Sequence, residues 1–192
     1  MLMIGILIFP NVEELDFVGP FEVLSYINKI RPDSTRVLLV AETTDTVRAY
    51  NGMRILPDIA LETCPKLDIL VVPGGKGRLI AMKNAALIQF IQKQAPQARY
   101  IAAVCTGAFL LAEAGLLTGK QATTYHECFD ELAAYNVTVR SEKVVPQEGI
   151  ITAGGVSSGI ELGFYLLREL FGVEVAQKVA QKIEYDIDVA AM

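Results

Sequence analysis

The chain of 192 residues holds one histidine, His126, three cysteines and no tryptophan. A single histidine rules out a multi-histidine zinc or iron site, and a nucleophile–base pair built on histidine has only this residue to use. Three cysteines do not make a disulfide framework in a chain of this length, and an odd number without a secretion signal is the pattern of a reduced, intracellular protein. Basic side chains are also few, 17 against 22 acidic, for a formal net charge of −5. That balance lacks the clustered Lys and Arg of a nucleic-acid-binding surface. Long apolar runs are missing too. The longest, Ile101 to Leu117, is interrupted by Gly107, Glu113 and Gly115 and falls short of the roughly 20 residues of a membrane span. Met1–Phe9 has neither a basic n-region nor a small-residue cleavage site, so it does not read as a signal peptide, and a cytoplasmic location is expected.

What the chain has in quantity is apolar content, 52% with a mean hydropathy of +0.38. Strands buried on both faces would account for it, as would a subunit interface, and a homodimer is expected; the outer side of the first helix and the segments around Asn51 are its candidate contacts. Met3–Phe9 is a short continuous apolar run bounded by Pro10 and Asn11, the pattern of such a buried strand. Phe17 to Ile30 carries apolar residues at helical spacing, with Pro20 tolerable only near the helix start and Asp16 therefore near its cap. Thr35–Ala41, Asp68–Pro73, Arg99–Val104, Val144–Pro146 and Gly149–Thr152 read as strands, and Val47–Tyr50 with Met53–Leu56 as a small hairpin through Asn51-Gly52. Leu87–Gln94, Ala108–Ala114, Ser158–Leu170 and Glu174–Tyr185 read as helices, with two short segments at Ala122–Tyr125 and Glu127–Ala134. Strands alternating with helices, without repeat or linker, predict one α/β domain over residues 1–192. Its sheet is mostly parallel, with helices on both faces. Ligands of such folds sit beyond the carboxyl ends of the strands, so the strand-to-helix turns are the places to look.

The turn at Ile101-Ala102-Ala103-Val104-Cys105-Thr106-Gly107 is the most informative. A buried strand ends at a cysteine and a helix follows at once, which is the pattern of a nucleophile elbow. The helix N-terminus is expected to lower the thiol pKa, and the Thr106 amide to face developing negative charge. The alternative is an inert buried cysteine. Asp16, in Leu15-Asp16-Phe17-Val18-Gly19-Pro20, also follows a strand; it is either a general acid or base beside the thiol or a plain helix cap, and Glu13 and Glu14 compete for the first role. Val71-Val72-Pro73-Gly74-Gly75-Lys76-Gly77 matches no phosphate-binding spacing and is either a backbone cradle or a tight turn. The run Gly154 to Gly159 is either a pocket wall or helix-entry packing. Cys64 and Cys128 match no zinc pattern and read as bystanders, so no metal site is expected.

Taken together and in order, MIGILIFP, LDFVGPFEVL, DILVVPGG, AAVCTGAFLLAEAGLLTGKQATTYH and ITAGGVSSGIELGF resemble the ThiJ/PfpI superfamily over essentially the whole chain. LD-x-x-GP paired with CTG is similar to its isonitrile hydratase branch, and the sensing domains of AraC-type regulators share close motifs. The resemblance implies a flavodoxin-like α/β sandwich with Cys105 on the elbow as nucleophile and Asp16 as partner carboxylate. Thr106 would contribute amide and hydroxyl, while Gly74, Gly75 and Tyr125 would meet the substrate or its oxyanion. It implies a small-molecule substrate and no cofactor. The protease-like branch has histidine directly after the cysteine, where this chain has Thr106, which speaks against peptidase activity. Relatives with histidine after the paired threonines differ as well, since Thr123-Thr124 is followed here by Tyr125 and His126 is displaced by one. No catalytic role is assigned to His126. The expected activity is hydration of a small isonitrile; the alternatives are a ligand or redox sensor, or glyoxalase or hydrolase chemistry at the same thiol.

Overall fold

A computed structural model describes residues 1–192. Its first half runs β1 Leu2–Leu7, α1 Glu14–Tyr26, β2 Thr35–Ala41, β3 Val47–Arg48, β4 Arg54–Ile55, β5 Ile59–Ala60, β6 Ile69–Val72, α2 Arg78–Ala81 and α3 Ala85–Gln94. The second half runs β7 Tyr100–Val104, α4 Ala108–Glu113, β8 Gln121–Ala122, α5 Phe129–Ala133, β9 Thr138–Val139, β10 Val144–Gln147, β11 Ile150–Ala153, α6 Ser158–Phe171 and α7 Val173–Lys182.

Seven strands form one sheet in the order β10-β11-β7-β6-β1-β2-β5. Every pairing is parallel except β10 with β11, a hairpin whose turn residues Glu148 and Gly149 both have positive φ. Ile4, Ile6, Ile69, Leu70, Val71, Val72, Ala102, Ala103 and Val104 are all fully buried, so the central strands are covered on both faces and need no polar alternation. The helices form two packed groups: α1 packs on α6 and α6 on α7, while α2 and α3 pack on α4. This is the mostly parallel, helix-covered, flavodoxin-like arrangement. The order of strand addition switches sides at β1, with β2 on one side and β6 on the other, and the crevice at the carboxyl ends of these parallel strands is where such sheets bind ligands. None of the helices is long and apolar enough to cross a membrane.

Most strand expectations hold to within two residues, and the Asn51-Gly52 hairpin forms with Gly52 at φ +103°. The first helix is a correction. It starts at Glu14 rather than Phe17, its cap position is Glu13, and no side chain caps it. Asp16 therefore lies inside the first turn. Pro20 sits mid-helix, where the missing N–H leaves the Asp16 carbonyl without a helical donor. The small β5 strand, the β8–β9 ladder and helix α2 have no counterpart in the apolar pattern, because elements of two to four residues carry too little periodicity to register.

Candidate active site

β7 delivers a buried chain to Val104, and at Cys105 the backbone turns over into the left-handed region, φ +56°. For a residue with a side chain this costs about 1–2 kcal/mol and has to be held by its surroundings. The Cys105 amide donates to the Gly154 carbonyl at 2.8 Å, and the Thr124 hydroxyl donates to the Cys105 carbonyl at 2.8 Å. A tight turn over Cys105–Gly107 leads into α4. Gly107 is required by contact: a Cβ there would stand 2.1 Å from the Val72 carbonyl oxygen. The elbow thus rests directly on the end of β6.

Asp16 enters from α1 and is fully buried. Its Oδ2 accepts the Gly74 amide at 2.9 Å. The alternative of a helix cap is excluded, since Asp16 bonds across the fold and not to its own helix. The Gly75 amide donates to Thr106 Oγ1 at 3.0 Å, so the expectation that the two glycine amides meet the substrate or its oxyanion is corrected: they brace Asp16 and Thr106, and Gly74 does not line the cavity. Neither glycine position has room for a side chain. A Cβ on Gly74 would lie 2.4 Å from Thr106 Oγ1, and one on Gly75, at φ +108°, would lie 2.4 Å from the Glu13 nitrogen.

The carboxyl and the thiol act on one another. Burial pushes Asp16 up to about 7, against the Gly74 amide, which favours the carboxylate; the Glu13 charge adds to the rise and the Cys105 S–H opposes it. The second carboxylate oxygen, Oδ1, is buried without a hydrogen-bond partner. Burial, and then the Asp16 charge, push Cys105 up to about 12, although the Thr106 and Val156 amides and the Thr106 hydroxyl favour the thiolate. The expectation of a thiol acidified by a helix end is therefore corrected. α4 begins only at Ala108, and burial beside a carboxylate outweighs the amides that reach the sulfur.

Above the sulfur opens a cavity of about 350 Å³ whose lining includes Tyr50, Gly75, Arg78, Thr106, Tyr125 and Val156. Gly155 has to be glycine for Tyr125 to pack, since a Cβ would meet its ring at 2.9 Å. The Gly154–Gly159 run is thus a wall as well as a helix entry, and it supplies the Val156 amide to the sulfur. Glu13 reaches the cavity mouth, whereas Glu14 is engaged by the Asn51 amide at 2.8 Å. Tyr125 meets the His126 ring edge-on at 4.6 Å, and His126 is not part of the lining. Cys128, a bystander by its spacing, lies in the cavity wall; Cys64 lies elsewhere, beside Lys93. Val156, Thr124, Tyr50 and Arg78 were not singled out from the sequence. Val156 has a local signal in the Gly154–Gly159 run and Arg78 one in following the Gly74–Gly77 turn, whereas Thr124 and Tyr50 have none.

The DJ-1/PfpI family model matches residues 3–169, a span that includes Asp16, Gly74, Gly75, Cys105, Thr106 and Tyr125. The chain belongs to the DJ-1/PfpI family. It is 41% identical to the isonitrile hydratase of Pseudomonas putida over 187 residues, 96% of this chain and 78% of that enzyme. It is 31% identical to the HTH-type transcriptional regulator CdhR of Pseudomonas aeruginosa over 92% of this chain, but spans only 53% of the regulator. A crystal structure of a ThiJ/PfpI family protein from Pseudomonas syringae superimposes with a TM-score of 0.90 at 32% identity, covering 97% of this chain and 76% of that one. DJ-1beta of Drosophila melanogaster gives a TM-score of 0.85 at 25% identity, covering 96% and 98%. The DJ-1/PfpI family thus includes both enzymes and regulators, and the choice between them rests on the chemistry of the site.

Proposed function

We propose that the protein adds water to a small isonitrile to give an N-substituted formamide, with Cys105 as nucleophile and Asp16 as proton carrier. The observation that carries this reading is the buried pair itself: a thiol too weakly acidic to ionise alone, beside a carboxyl group poised at about 7. Such a thiol attacks well only when a base takes its proton during the attack, and Asp16, whose charge acts on this thiol, is the base of this reading. In the first step the sulfur bonds to the terminal carbon of R–NC while the S–H proton passes through Asp16 to that carbon, giving the thioimidate R–N=CH–S. In the second, Asp16 draws a proton from water as its oxygen bonds to the same carbon, and the proton goes to nitrogen. The C–S bond then breaks, the sulfur recovers its proton and R–NH–CHO leaves. Water is the sole co-reactant. Negative charge that builds on the sulfur as it leaves faces the Thr106 and Val156 amides.

The 41% identity to an isonitrile hydratase supports the same reaction. A screen of isonitriles, dicarbonyls and peptides tests it. Formamide should appear from isonitriles only, vanish in Cys105→Ala and fall about 10²–10⁴-fold in Asp16→Asn. Equal turnover by Cys105→Ala would overturn the assignment. A ligand-sensing role has the likeness to CdhR in its favour; it would show as isonitrile binding without product. The reading includes a homodimer, which size exclusion at micromolar concentration checks, and a cytoplasmic location, which cell fractionation checks.

A further inference from the structure

Arg78 has no part in the hydration steps, yet it is held more firmly than any other charged side chain at the cavity. Its guanidinium is nearly buried, lies 4.1 Å from the centre of the Phe109 ring and donates two hydrogen bonds, of 2.7 and 2.6 Å, to the two oxygens of Glu131. Arg78 opens α2, Phe109 belongs to α4 behind the elbow, and Glu131 belongs to α5. One side chain therefore ties together three elements around the cavity. α2 and α5 have four and five residues, too few to hold their places by helical hydrogen bonding. The chain entering α5 carries Tyr125 and Cys128 on the cavity wall. The far end of α5 has its own tie, Tyr135, which meets Phe109 edge-on at 5.9 Å and donates to Glu113 at 2.7 Å. The end beside Cys128 is tied by Arg78, whose charge reaches that thiol.

We propose that the Arg78–Glu131 pair is a specificity-determining clamp that fixes the Tyr125–Cys128 wall opposite Cys105 and so limits the size of the substituent the cavity admits. The proposal takes its substrate, an isonitrile, from the hydratase reading; the clamp itself stands on geometry. Arg78 and Glu131 are positioning residues, which act on substrate choice through the wall. A planar guanidinium matched to a carboxylate by two bonds sets direction as well as distance, whereas an ammonium sets neither.

The test compares the unmodified protein with Glu131→Gln and Arg78→Lys. Glu131 is 45% exposed, so its replacement leaves the core intact. Two readouts are taken: kcat and KM for methyl isocyanide and 2-naphthyl isocyanide, and the rates at which N-ethylmaleimide and the bulkier N-(1-pyrenyl)maleimide label Cys128, followed by peptide mass spectrometry. In both variants the preference in kcat/KM for the small isonitrile should fall at least about fivefold, through KM rather than kcat. Labelling of Cys128 by the bulky maleimide, relative to the small one, should rise by about as much. Unchanged ratios in both assays would overturn the clamp, as would a uniform fall in kcat with an unchanged labelling ratio. If the unmodified protein turns over no isonitrile, the hydratase reading fails, and the labelling ratio alone decides the clamp.

Discussion

Asp16 gives one carboxylate oxygen to the Gly74 amide at 2.9 Å and keeps the other buried without a hydrogen-bond partner, while its charge raises the thiol of Cys105. The reactive form of this pair carries one proton, on sulfur, with the carboxylate free to receive it. The rate of isonitrile hydration should therefore climb as Asp16 ionises. We expect kcat/KM to rise through about pH 7, the Asp16 value, and to level off above it. A profile that is flat or falling between about pH 5 and 9 would exclude Asp16 as the base.

The same carboxyl group links pH to stability. Its folded-state pKa, about 7, lies above the ordinary 3.8, so between these values the folded protein binds the proton that the unfolded chain has released. Stability is then greatest below about pH 4 as far as this group is concerned and is lost as pH rises through about 7, by up to about 4 kcal/mol. Asp16→Asn keeps an oxygen for the Gly74 amide and removes the buried charge. Urea unfolding at a series of pH values should show the variant more stable than the unmodified protein at pH 8 and the difference shrinking towards pH 4.

A thiol pushed up to about 12 is a poor nucleophile towards simple alkylating agents. At pH 7.5, iodoacetamide should label Cys105 at least ~100-fold more slowly than a cysteine in an unfolded peptide. Rapid labelling of the unmodified protein would favour a redox-sensing thiol instead.

Gly74→Ala tests the brace between the loop and the elbow. The added carbon would stand 2.4 Å from Thr106 Oγ1 and 2.5 Å from its nitrogen, so the elbow or the loop must move. A shift of about 1 Å at the reacting sulfur is enough to lower kcat about 10²-fold. Activity should fall by that order, together with a lower midpoint in thermal unfolding. Thr106→Val, which leaves the Gly75 amide without its acceptor, should cost about 1–3 kcal/mol. Thr106→Ser should restore it.

The elbow was legible because three local signals coincide there: an apolar run, a cysteine where it ends, and a glycine two places on. The central strands were legible for a similar reason, since burial on both faces leaves nothing but apolar residues to read. Asp16 was visible only as a candidate. Its partner Gly74 is 58 positions away, and with Pro20 close behind it, Asp16 by itself reads first as a helix cap. The protonation of Cys105 could not be read from the pattern, because a helix end pulls one way and burial with a neighbouring charge pulls the other, and only the packing shows which is larger. Arg78 and Val156 have meaning only through Glu131, Phe109 and the sulfur, all distant in the chain.

Three separate crossovers contribute to the elbow's surroundings, and the contacts that complete it span 58 positions from Asp16 to Gly74 and 31 from Gly75 to Thr106. The sheet pairings beneath them are of the same range, as in Ile4 with Ile69 and Val71 with Ala102, so the site assembles with the sheet and not before it. During synthesis, then, Asp16 leaves the ribosome well before anything exists for it to hold. A peptide copied from the Cys105 turn would have the sulfur without the carboxylate, the burial or the backbone twist, and would behave as an ordinary thiol.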